Sequence, residues 1–330
     1  MAVDTVLLAA PRGFCAGVEM AIKALAWMVR MFEPPVYCYH EIVHNQLMVD
    51  RFRRLGVVFV DDVAEVPPGA PVMLSAHGSA PEVVAAARAN GGVVVDAVCP
   101  LVTKVHHEVK VRAGHGYNVI YVGHQGHDEA VGTMAVAPEA VRLVETEDDV
   151  AALDLDDGAP VAFLAQTTLS MDEWAGVRDA ARARFPSMWM PGRSDLCFAT
   201  TNRQSALKVV ASRADAIVVI GSANSSNTVA LEKVARSSGA SRVFRVNSAD
   251  ELPSDLSGVV GVTAGASAPE ELVKAVLERL APSNGVEVVT VTTEEEYFPP
   301  PRELRDLLGA DRLADDRSVA ASDVLDALGG

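Results

Sequence analysis

The chain has 330 residues, 49% of them apolar, with a mean hydropathy of +0.19 and a net charge of −16. That length suits more than one core, because domains most often run to ~100–150 residues, and no run of ~20 uncharged apolar residues marks a membrane span. The acidic balance excludes electrostatic recognition of a nucleic-acid backbone. Four cysteines without a Cys-x-x-Cys pair exclude a disulfide framework or zinc knuckle, and point to a reducing, cytoplasmic compartment.

In chain order, Met1–Ala10 is a short apolar run with Asp4 inside it and no basic leader, which reads as a first strand rather than a signal peptide. Cys15 then opens the amphipathic helical stretch AIKALAWMVR. A strand within VYCYHEIVHN runs to Asn45, VVFVDDVAEV couples a strand to an acidic element, and a last strand ends at Ser75-Ala76-His77-Gly78-Ser79. The same order then recurs. Cys99 opens KVHHEVKVRA, NVIYVGHQGH runs to His127, VRLVETEDDV follows, and Ala165-Gln166-Thr167-Thr168 closes the unit. Cys197 opens NRQSALKVVASR, DAIVVIGSANSSN runs to Asn227, VFRVNSADEL follows, and Thr263-Ala264-Gly265-Ala266-Ser267 closes the third.

A period of about ninety residues marks three copies of one unit, and alternating strands and helices of this length indicate parallel α/β modules. The expected fold is α/β, with three pseudo-symmetric modules in a trefoil arrangement around a central cavity. Their bounds are 1–98, 99–195 and 196–285, and an acidic C-terminal segment follows over 286–330. Beyond Arg305 the sequence reads as weakly structured, except for a short helix over Ser322–Leu328. Ligands of open parallel α/β sheets collect at the carboxyl ends of the strands, where the unusual polar residues of this sequence stand.

Cys15, Cys99 and Cys197 share one position, where a loop enters a helix, so the repeat expects them to converge. Three thiolates suit soft-metal chemistry better than a simple nucleophile. Iron-sulfur clusters usually take four cysteines, so three would leave one iron open to substrate. Zinc, with His127 completing a Cys3His site, is the alternative. Cys38 has no counterpart in the repeat and reads as a buried apolar residue. The polar residues His44, Asn45, His77, His127, Thr167, Thr168, Ser225, Ser226, Asn227 and Ser267 are neutral donors able to wrap a diphosphate without a Walker-type lysine. Glu129 is the carboxylate placed among them, suited to proton donation if its pKa is raised. His106, His107, His115 and His124 lack such support, and the first two read as helix surface.

The motifs Gly13-Phe14-Cys15-Ala16-Gly17-Val18, Glu41-Ile42-Val43-His44-Asn45, Ala76-His77-Gly78, Cys99-Pro100-Leu101-Val102 and Gly126-His127-Asp128-Glu129 resemble those of the 4-hydroxy-3-methylbut-2-enyl diphosphate reductases. The resemblance continues through Gln166-Thr167-Thr168, Ala199-Thr200-Thr201-Asn202-Arg203-Gln204, Asn224-Ser225-Ser226-Asn227 and Thr263-Ala264-Gly265-Ala266-Ser267. It implies a trefoil around a 4Fe-4S cluster on Cys15, Cys99 and Cys197 with an open apical iron. It further implies a diphosphate held by His44, His77, His127, Ser225, Asn227 and Ser267, to which the polar pattern adds Ser226, with Glu129 and Thr167 binding the substrate hydroxyl and relaying protons to it. Reductive loss of that hydroxyl would give isopentenyl or dimethylallyl diphosphate, with electrons from an external carrier such as ferredoxin or flavodoxin. Three positions depart from the family pattern: Met20 for an arginine, Val98 for a threonine and Ala230 for a basic residue. The competing reading is a divergent paralogue serving as a non-catalytic iron-sulfur sensor of oxygen or a metabolite.

Overall fold

Short β-branched runs alternating with helices are realised as three parallel sheets. The computed structural model describes residues 3–309 and 316–328. The chain opens with β1 (Val3–Ala10), whose partners come from the far end of the sequence. The first sheet is made by β2 (Val36–Tyr39), β3 (Val57–Val60), β4 (Val72–Leu74) and β5 (Val94–Asp96), in the order β3-β2-β4-β5. The second has β6 (Asn118–Val122), β7 (Val141–Val144) and β8 (Val161–Ala165), in the order β7-β6-β8. In the third, β9 (Ala216–Ile220), β10 (Val243–Val246), β11 (Gly258–Ala264) and β12 (Val286–Thr290) enclose β1 in the order β10-β9-β11-β1-β12.

The sequence places β1 at the start of the 1–98 module, but Val6 pairs with Val260 on one side and Val286 on the other. The physical reason lies in its burial. Val6, Leu7, Leu8 and Ala9 are all buried, as suits a strand covered on both faces of a parallel sheet, and the third sheet has partners for both its edges.

Two compact units result: one of Met1–Cys15, Thr168–Met171 and Leu196–Glu296, the other of Ala16–Thr167, Asp172–Asp195 and Tyr297–Gly330. The first unit contains the five-stranded sheet. Its core joins Val6, Leu8, Val218, Val260, Val262 and Val273 on one sheet face, and Leu7, Ala9, Leu207, Val219 and Leu231 on the other. Two-sided burial of this kind explains why the strands read as continuous apolar runs.

The acidic elements after the second strand of each repeat are caps. Asp62 and Glu65 form a capping box, Thr146 and Asp149 form another, and Glu251 accepts the Asn247 backbone N–H at 2.8 Å. Of the tail beyond Arg305, expected to be weakly structured, 310–315 lie outside the described residues, whereas 316–328 make defined polar contacts. The Asp316 carboxylate accepts hydrogen bonds from Trp27 Nε1 and Tyr297 Oη, its carbonyl accepts one from Lys23 Nζ at 2.8 Å, and the short helix spans Ala321–Asp326. Polar anchors on the helix Ala16–Met31, invisible in the tail's own composition, fix it there.

Candidate active site

In the first unit the polar residues gather around two cysteines. Cys197 is the N-cap of the helix Phe198–Ala211, and its Sγ accepts the Thr200 backbone N–H at 3.2 Å and lies 3.0 Å from Thr200 Oγ1. Burial pushes the Cys197 thiol up to about 11, the neighbouring Cys15 adds to that, and the Thr200 contacts oppose it. The loop before Cys15 is pinned to the end of β11: Gly13 donates to the Ala264 carbonyl and Cys15 to the Ala266 carbonyl, both at 3.2 Å. Gly13 has φ +65°, and a Cβ there would stand 3.1 Å from the Ala268 carbonyl oxygen, so this close approach needs glycine.

Asn227 spans the same region. Its Oδ1 accepts from the Ala266 N–H at 2.8 Å and its Nδ2 donates to Thr200 Oγ1 at 3.3 Å. Ser225 caps the helix Ser226–Ser237, receiving the Thr228 N–H, and its hydroxyl is 3.5 Å from that of Ser267. Ser225, Ser226, Asn227 and Ser267 are all buried. Two helix N-termini and a group of neutral hydroxyls and amides form a surface suited to an anion.

The second unit gathers the imidazoles. Cys99 caps the helix Pro100–Gly114, and its N–H donates to the Ala76 carbonyl at 3.0 Å, beside His77. His44 and His77 stack with ring centroids 3.9 Å apart, and His127 meets both edge-on at 5.4 and 6.0 Å. Gly132 permits this approach, because a Cβ there would lie 2.8 Å from the Gly78 carbonyl oxygen. His127 Nδ1 accepts the Glu129 N–H at 3.1 Å, so the neutral ring carries its proton on Nε2. Burial and the neighbouring His44 hold His77 well below the usual imidazole range and push His127 down to about 4.

Glu129 is 2% exposed. Its Oε1 accepts the Thr167 N–H at 2.7 Å and its Oε2 the Thr167 hydroxyl at 3.0 Å. Burial pushes its carboxyl up to about 7 against those two bonds, with Asp195 adding to the rise. A carboxyl that titrates near neutrality and is hydrogen-bonded to a hydroxyl can hold and pass a proton.

Within each unit the structure thus brings the anticipated residues together: Cys15, Cys197, Ser225, Ser226, Asn227 and Ser267 in one, and Cys99, His44, His77, His127, Glu129 and Thr167 in the other. Cys38 is fully buried and its thiol is pushed far up, a poor ligand. Sequence reasoning missed Asp128. Its Oδ1 lies 3.0 Å from His40 Nδ1 and its Oδ2 3.9 Å from His44 Nε2 and 3.8 Å from His77 Nδ1. Burial pushes that carboxyl up, but the His40 bond and the facing His77 and His44 bring it down to about 2. Adjacency to His127 was its signal, and Thr200 had one in standing three residues after a helix-capping cysteine. His106, read as helix surface, instead packs on Gly78, and burial lowers its pKa. Met20 and Ala230 lie in the core, so these departures fill apolar space.

A family model described as LytB protein matches residues 6–281, and the chain belongs to the LytB family. It is 48% identical over 305 residues to the 4-hydroxy-3-methylbut-2-enyl diphosphate reductase of Rhodopirellula baltica, covering 91% of this chain and 95% of that one. Identity to the enzyme of the same name from Phenylobacterium zucineum is 49% over 296 residues, with 88% and 94% covered. The structure of the E-1-hydroxy-2-methyl-but-2-enyl-4-diphosphate reductase from Plasmodium falciparum matches with a TM-score of 0.89 at 30% identity, covering 92% of this chain and 98% of that one. The protein is therefore an enzyme, an oxidoreductase of α/β fold. No helix among the described residues is long and apolar enough to cross a membrane.

Proposed function

We propose that the enzyme reduces 4-hydroxy-3-methylbut-2-enyl diphosphate, taking up two electrons and two protons and releasing the hydroxyl as water, to yield isopentenyl and dimethylallyl diphosphate. The observation that carries this reading is the buried Glu129–Thr167 pair in the same unit as three histidines. A binding protein or sensor needs an anion cradle; it has no need of a carboxyl tuned to about 7 and bonded to a hydroxyl. Names of relatives across 91% of the chain support the same reaction.

Cys15, Cys99 and Cys197 would hold a 4Fe-4S cluster, three thiolates leaving one iron without a protein ligand. All three are partly exposed at the entrance of a helix, and Cys197 Sγ already accepts an N–H, the kind of contact that favours thiolate. Such a cluster supplies single electrons and Lewis-acid activation of the departing hydroxyl. The protein's own part is binding, orientation and proton delivery. His44, His77 and His127 in one unit, and Ser225, Ser226, Asn227 and Ser267 in the other, bind the diphosphate through neutral donors. His127 offers Nε2–H because its Nδ1 is occupied by the Glu129 N–H. Glu129 holds a proton near neutral pH and passes it through the Thr167 hydroxyl towards the substrate oxygen.

Electrons come from an external carrier of the ferredoxin or flavodoxin kind, and the site of action is the cytoplasm. The test is anaerobic assay of iron and sulfide, followed by turnover with dithionite and a viologen as donor. Cluster-loaded protein that binds inorganic diphosphate but makes neither product would overturn the proposed reaction.

A further inference from the structure

Arg203 is a fully buried arginine, at 0% exposure, in the helix that Cys197 caps. All five guanidinium N–H groups are used. Nε donates to the Gly13 carbonyl at 3.1 Å, and Nη2 to the same carbonyl at 2.8 Å and to that of Phe14 at 3.2 Å. Nη1 donates to the Ala199 carbonyl at 2.9 Å and to the Glu294 carboxylate at 2.9 and 3.0 Å. Asn202 Nδ2 holds Glu294 Oε1 at 3.1 Å.

Three features set this cluster of contacts apart from an ordinary core ion pair. The two carbonyls it grips immediately precede Cys15, and the third lies two residues after Cys197. From the opposite side, Gly13 and Cys15 are tied through their N–H groups to Ala264 and Ala266, so the Cys15 loop is fixed by donors and acceptors alike. A buried ion pair is also no better for stability than apolar residues of the same volume, so stability alone does not account for a charge here.

We propose that Arg203, with Glu294 as counter-charge, is a positioning residue for the cluster: it locks the Cys15 loop to the Cys197 helix and sets the local charge felt by the bound metal. The inference rests on the assignment of Cys15 and Cys197 as cluster ligands. A planar fork is needed for the first task, since lysine, a single point charge, cannot bridge Gly13, Phe14 and Ala199 together. Charge near a cluster moves its reduction potential, which is the second task.

The full-length protein, reconstituted anaerobically, is compared with Arg203→Gln, Arg203→Lys and Glu294→Gln. Iron per chain and the midpoint potential, followed by electron paramagnetic resonance in a redox titration, are the readouts. Arg203→Gln, which removes a positive charge, is expected to lower the potential; Glu294→Gln, which removes a negative one, to raise it. Arg203→Lys keeps the charge and is expected to hold less iron than wild type. Shifts of the same sign in the two Gln variants, or no shift in loaded protein, overturn the proposal. If Arg203→Gln does not fold, Glu294→Gln decides it: a raised potential supports the role and an unmoved one removes it. Wild-type protein that takes up no iron overturns the cluster assignment itself, and this proposal with it.

Discussion

The two units build the surfaces proposed to face the anion from different chemistry. In the first, helix caps, buried serines and Asn227 present groups that do not titrate between pH 4 and 9. In the second, the corresponding positions are imidazoles and carboxyls whose charge is poised by burial and by one another: His77 and His127 pushed down, Glu129 pushed up, Asp128 held low. One surface is therefore fixed and the other switchable. The contrast teaches where pH dependence should originate, because among the described residues proposed to face the anion those that titrate near or below neutrality lie in the second unit.

The largest expected effect tests the proposed cluster ligands. Replacing Cys15, Cys99 or Cys197 by serine is expected to abolish turnover and cluster iron, whereas Cys38→Ser keeps both; iron per chain and product formation are the measurements. Loss of the cluster on changing Cys38 alone, with the fold retained, would show the wrong cysteines have been chosen.

Next in size is Glu129→Gln, which keeps the shape but not the ionisable proton. Turnover should fall by roughly two to four orders of magnitude with the cluster retained, and the wild-type decline above about pH 7 should disappear. The same variant bears on stability. A carboxyl raised from 4.5 to about 7 in the folded state contributes fully below pH 4.5, and that contribution is lost as pH rises to 7, a change of about 3 kcal/mol. Denaturant unfolding of Glu129→Gln should lack that slope between pH 5 and 8. A variant with wild-type turnover removes Glu129 from the mechanism.

Asn227→Ala probes the fixed surface. It orphans the buried Ala266 N–H, so a loss of about 1–3 kcal/mol is expected, and affinity for inorganic diphosphate should weaken by the same factor at about pH 4 and about pH 7. His127→Ala should weaken it unequally at the two values. His127 is held neutral, with a folded pKa of about 4 against 6.5, so it destabilises the fold as pH falls from 6.5 to 4. Bound diphosphate should offset that loss. Calorimetric titration at the two pH values separates the surfaces, and equal pH dependence in the two variants breaks the distinction.

The smallest effect is expected from Val98→Thr. Val98 is nearly isosteric with threonine and precedes Cys99, so a restored hydroxyl near a cluster thiolate should move the reduction potential while leaving diphosphate affinity unchanged.

Much of this was legible beforehand because it rests on local chemistry. A cysteine before an amphipathic run marked a helix entrance three times, and the structure places Cys99 and Cys197 at N-caps and Cys15 one residue before Ala16–Met31. The Gly-His-Asp-Glu motif marked His127 and Glu129, which share an N-terminal turn. By contrast, His106 looked like helix surface, since its apolar contact, Gly78, comes from 28 residues earlier and carries no side chain to signal it.

What the sequence by itself determined is the repeat, the parallel α/β class and the identity of the polar groups, because periodicity, capping and residue type act within a few residues. Only the tertiary structure decided the partners of β1, the anchoring of Asp316, the place of Asp128 against three imidazoles and the grip of Arg203 on the loop before Cys15. Each of these depends on which backbone edge or side chain arrives from a distant part of the chain. Burial then sets the rest: the same glutamate that would titrate near 4.5 in water is carried to about 7 only once its surroundings have closed over it.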